Sequence, residues 1–105
     1  VAYDLYVGPG NWRDGPRDHV GSVDFSELPA FSRLVKRGDY DFIERMSKLF
    51  DDQAFDLGDI ERALDAMLPL LHASLQADER TLLHKLIAVL SFASRRQQGL
   101  FCISD

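Results

Sequence analysis

Cysteine is nearly missing from this chain of 105 residues. Cys102 stands alone, so no intramolecular disulfide can form, and a reducing compartment is expected. The residue lies in the apolar run Leu100–Ile103 with no positive neighbour to favour a thiolate, so it reads as a small buried hydrophobe. Long apolar runs are lacking too. The longest, Leu86–Ala93, falls well short of the roughly 18–20 residues that span a bilayer, and it reads as a buried helix. No basic segment leads into an apolar core at the N-terminus, so no signal peptide is expected. A cytoplasmic protein without membrane association is therefore expected.

Chemical motifs are equally scarce. Gly10-x-x-x-x-Gly15 has the glycine spacing of a phosphate loop, but Pro16 and Arg17 stand where Lys and Ser/Thr are needed. Pro16 also has no N–H to offer a phosphate oxygen. Gly8-x-Gly10 runs into Asn11, Trp12 and Arg13 and so fails as a dinucleotide fingerprint. An EF-hand starting at Asp52 would need an oxygen ligand at Ala54 and glycine at Leu57, and one starting at Asp51 would need a ligand at Phe55; both registers fail. His19, His72 and His84 are the only histidines, and no HExxH or CxxC pair accompanies them. No metal, no cofactor and no enzymatic activity are expected.

What the chain does have is negative charge in one place. The formal charge is −5. Residues 39–65 hold Asp39, Asp41, Glu44, Asp51, Asp52, Asp56, Asp59, Glu61 and Asp65 against only Arg45, Lys48 and Arg62. The middle third thus carries more than the whole excess. Such a field repels nucleic acid and anionic membranes and favours a cationic partner.

The hydrophobic fraction of 46% and charged fraction of 28% fit one globular domain spanning 1–105. Tyr3–Val7 alternates as a strand does and ends at Gly8-Pro9. Val20–Phe25 suggests a second short strand. Ser26 is expected to cap a helix with Pro29 in its first turn and Leu28, Phe31, Leu34 and Val35 on one face, ended by Gly38. Asp39 or Asp41 would cap the next helix, with Phe42, Ile43, Met46, Leu49 and Phe50 apolar. Residues 51–58 read as a connection with Phe55 and Leu57 turned inward. Asp56 or Asp59 opens a third helix carrying Ile60, Ala63, Leu64, Met67, Leu68 and Leu71, which Pro69 should break near Leu68. Asp78 would cap a last helix over roughly 79–97, stopped by Gly99 and followed by a strand at Leu100–Ile103. This helix is apolar nearly all round, so 82–93 is expected at the centre, with the terminal strands pairing beside it. The fold class is α+β and helix-dominated: about four helices around a central C-terminal helix, with a small sheet from the N- and C-terminal strands.

Trp12 sits in the turn-rich stretch GPGNWRDGPRDHVG with Arg13 and Arg17 close by. Trp and Arg are enriched among binding hot spots, so a partner-contacting loop is one reading. The other is that Trp12 folds back over an edge of the sheet. The opening strand Tyr3–Val7, the acidic middle helices and a last helix running into Gly99–Asp105 together resemble small immunity proteins that neutralise secreted bacterial toxins. The resemblance implies an inhibitor that masks a toxin's cationic active site by charge complementarity. The expected contact residues are Asp51, Asp52, Asp56, Asp59 and Glu61, with Trp12 and Arg17 from the loop. The alternative is a regulatory or adaptor domain whose helical face binds a larger protein, or itself, through apolar contact.

Overall fold

A computed structural model describes residues 2–9, 17–48 and 51–104. Among them, four strands form one antiparallel sheet: β1 (Ala2–Gly8), β2 (Asp18–Asp24), β3 (Gln53–Phe55) and β4 (Gly99–Ser104), in the order β2-β1-β4-β3. The alternation at the N-terminus does what its period requires. Tyr3, Leu5 and Val7 are buried on one face, with Asp4 and Tyr6 on the other. The terminal strands pair from Tyr3↔Ser104 to Gly8↔Gly99, tying the ends together as expected. Strand β2 extends further back than Val20 and stops before Phe25, which is 49% exposed. Its register slips between Leu5 and Tyr6, whose partners are Gly21 and His19, so Val20 is the bulged residue.

The helices α1 (Leu28–Val35), α2 (Asp41–Met46), α3 (Leu57–Met67) and α4 (Ala77–Arg96) surround a core that includes β1, Val23, Phe55, Leu100 and Cys102. Several expected caps differ. A short 3₁₀ turn, Phe25–Glu27, precedes α1 and is capped by Asp24, whose N–H donates to Glu27 Oε1; Glu27, not Ser26, takes the N-cap position of α1 itself. Tyr40 caps α2, leaving Asp41 in the first turn, where a carboxylate suits the positive end of the helix. Gln76 caps α4 with its N–H donating to Glu79 Oε1 at 3.1 Å; Asp78 lies inside the first turn. Asp56 does cap α3: the Asp59 N–H donates to Asp56 Oδ1 at 2.8 Å and the Asp56 N–H to Asp59 Oδ2 at 3.1 Å. Pro69 acts as its missing N–H requires, and α3 gives way to a 3₁₀ segment, Leu68–His72. Leu68 is 44% exposed, because this break rotates it off the buried stripe. The expected connection over 51–58 contains β3, and Leu49 and Phe50 lie outside the described residues.

Helix α4 packs on α1, α3 and β4 and buries Leu82, Leu83, Leu86, Val89, Leu90 and Ala93. It is enclosed on most of its circumference but not all, since His84 and Ala88 are exposed and Ile87 is half-buried. The helix ends at Gln97, which takes the left-handed conformation at φ 55°. Gly99, expected as the stop, begins β4 instead. A Cβ built there would lie 2.9 Å from the Phe55 carbonyl oxygen, so glycine lets β3 and β4 approach. Gly99→Ala is expected to cost about 1–3 kcal/mol by overpacking against a backbone atom, read as a lower urea midpoint with the slope unchanged.

Candidate functional site

The described elements within residues 39–65 meet at the β3 edge of the sheet: α2 packs on α3, and α3 on β3. Phe42 meets Phe55 with ring centroids 4.7 Å apart. The Arg45 guanidinium lies 4.2 Å from the Phe55 ring centroid. Its Nη2 donates to the Ala54 carbonyl at 3.1 Å and its Nε to Gln53 Oε1 at 3.2 Å. One arginine thereby blocks an open carbonyl of the edge strand.

Three of the carboxylates expected at a docking surface also hold the fold. Asp52 accepts the Ser104 N–H at 2.8 Å and pins the end of β4. Asp56 is the α3 cap described above. Asp59 completes that cap and receives Arg62 Nη2 at 2.7 Å. Its partial burial pushes its pKa upward, but the Asp56 N–H and the Arg62 guanidinium outweigh that and hold it below the usual carboxylate range. Glu61 accepts the Ser94 hydroxyl at 3.2 Å, which points it toward α4. Asp51 contributes its carbonyl, which accepts the buried Tyr3 hydroxyl at 2.5 Å; burial raises the Tyr3 phenol pKa strongly.

Among the described residues, only two of the nine acids in 39–65 lie within 4.0 Å of a base: Asp59 with Arg62, and Asp41 with Arg45 at 3.9 Å. Asp41 is 85% exposed, so the second pair contributes little. Asp39, Glu44 and Asp65 are exposed, and their carboxylates make no hydrogen bond or ion pair with described residues. Where α2 meets α3 the surface dips into a cleft of about 190 Å³. Tyr40, Phe42, Phe55, Ala63, Ala66 and Met67 form its apolar part, and Asp39, Asp41, Asp59 and Arg62 its polar part. Sequence reading found these acids as charge but missed the cleft. The available signal was Asp39-Tyr40-Asp41 ahead of a helix, an aromatic between two carboxylates; the cleft exists only because α2 packs on α3.

The loop residues are not brought to this site by anything described. Trp12 lies outside the described residues. Arg17 is half-buried with its guanidinium 5.2 Å from the Phe101 ring centroid, on the sheet face away from the helices. Cys102 is buried, 3.3 Å from Met46 Sδ, and desolvation pushes its thiol pKa far up. His19 is exposed, 3.4 Å from Asp4. Among the described residues, no three metal-ligating side chains converge, and no helix is long and apolar enough to cross a membrane. Comparison with known protein families, with curated proteins and with solved structures gives no match.

Proposed function

We propose that this chain is a non-enzymatic protein-binding module, an immunity protein that works in the cytoplasm and neutralises a bacterial toxin by masking its cationic active site. One observation carries the reading: of the nine carboxylates between Asp39 and Asp65, only Asp41 and Asp59 meet one of the chain's own described bases. Exposed carboxylates in water contribute little to the stability of their own fold. Their summed field does act at a distance, speeding encounter with a positive cleft and repelling nucleic acid that would compete for it. Asp51, Asp52, Asp56, Asp59 and Glu61 remain the proposed contact set with Trp12 and Arg17, and the cleft adds Asp39 and Asp41.

The test is capture of the partner from the native organism, followed by mass spectrometry and a salt titration of the complex. A basic toxin-like protein is expected, released as salt rises from about 50 to 200 mM. A complex that added salt strengthens would overturn the reading.

That outcome would support a second reading, an adaptor acting through apolar contact. A stripe on α4 favours it. Leu71, His84, Ile87 and Ala88 line one shallow depression of about 210 Å³, and Val20, Ala88, Val89 and Phe92 another of about 290 Å³, the two meeting at Ala88.

A further inference from the structure

We infer that the cleft between α2 and α3 is a socket for a single arginine side chain presented by the cationic partner. The inference rests on the proposed function above and assigns the partner's chemistry at one point of contact. Size is the first argument. At about 190 Å³ the cleft falls below the roughly 300–1,000 Å³ of pockets that hold drug-sized ligands, and suits one long side chain.

The lining is the second. Met67, Ala63 and Ala66 offer an apolar wall for a methylene stem, while Tyr40 supplies a half-buried aromatic ring beside Asp39 and Asp41. A planar guanidinium uses all three kinds of surface at once, through stacking and forked donation to carboxylate, where a lysine ammonium uses only the charge. Charge complementarity is the third. Asp59 is already matched by Arg62, whereas Asp39 has no described base and Asp41 only the distant Arg45. The protein's own Arg45 shows the same preference next door, lying over Phe55 within 3.9 Å of Asp41.

The test uses the peptide acetyl-Gly-Arg-Gly-amide and its citrulline twin, which keeps the shape and removes the charge, titrated into the isotopically labelled full chain. Saturable NMR shifts confined to amides of 39–42 and 55–67 are expected, with the citrulline peptide at least tenfold weaker. Ala66→Phe fills the cleft from an exposed helix position without touching charge, and should abolish these shifts. Asp39→Asn should weaken them severalfold. Equal responses to the two peptides, no response to either, or shifts that survive Ala66→Phe would overturn the socket. The same Ala66→Phe variant separates the two proposals. If it still binds the captured partner with full affinity and unchanged salt dependence, the socket fails and acidic docking stands. If complex formation with the unmodified chain is insensitive to salt, the broader reading fails first.

Discussion

Glu79→Ala is expected to lower the unfolding free energy by about 2–3 kcal/mol. The Glu79 side chain is fully buried at the start of α4. Arg37 Nε donates to its Oε2 at 2.8 Å, Arg37 Nη2 to its Oε1 at 3.3 Å, and the Gln76 N–H to Oε1 at 3.1 Å. Arg37 Nη2 also donates to the Ser74 carbonyl at 2.9 Å, so one guanidinium ties the end of α1 to the segment leading into α4. Arg33 binds Asp78 and lies 3.7 Å from Glu79. Removing the carboxylate strands this charge and uncaps the central helix. The figure stays below the roughly 3–5 kcal/mol of a fully buried pair, because both arginines are about one-third exposed and can turn to water. Denaturant unfolding of the variant measures it.

The same cluster sets an acid limit. Arg37 holds the Glu79 carboxyl below its ordinary range against the opposing effect of burial, and Arg33 does the same for Asp78. A carboxylate whose folded pKa is depressed adds stability above its unfolded value, and that stability is lost as pH falls through the folded value. Stability should therefore decline on acidification from about pH 5 downward. Glu79→Gln should flatten that decline; an unchanged slope would show that other carboxylates set it.

Reversing Glu44 and Asp65 to lysine is expected to slow association with the captured partner about tenfold at low salt, with little effect on dissociation. The choice of residues matters. Reversal at Asp52 and Asp56 attacks the same field but also removes the Ser104 anchor and the α3 cap. A loss of binding there would mix instability with electrostatics. The Glu44 and Asp65 carboxylates are exposed and make no hydrogen bond or ion pair with described residues, so their reversal isolates the field. Stopped-flow association at 20 and 200 mM salt measures it, and identical rates for the parent and the double variant at both salts would remove the electrostatic role.

Much of the architecture was legible because it depends on local periodicity. The alternation Tyr3-Asp-Leu-Tyr-Val7 gave a half-buried strand, the pair Asp56 and Asp59 announced the start of α3, and Pro69 announced its break. Caps were read less well, because a side-chain oxygen near a helix start is common and the helix uses whichever residue the incoming chain delivers in extended geometry. Tyr40 and Gln76 won for that reason, as Asp24 did for the 3₁₀ turn ahead of α1. Strand β3 escaped notice because three residues carry no period; pairing with Leu100–Cys102 makes Gln53–Phe55 a strand.

The sequence by itself determined an α+β domain with a strand near each end, an apolar C-terminal helix and an excess of carboxylates in the middle third. Those are properties of composition and of repeats of two and 3.6 residues, which each segment carries within itself. Tertiary structure decided which carboxylates became caps and anchors, which stayed unmatched, and where two helices left a gap the size of one side chain. Distances between segments far apart in the chain depend on how all of them pack together, so no single segment encodes them.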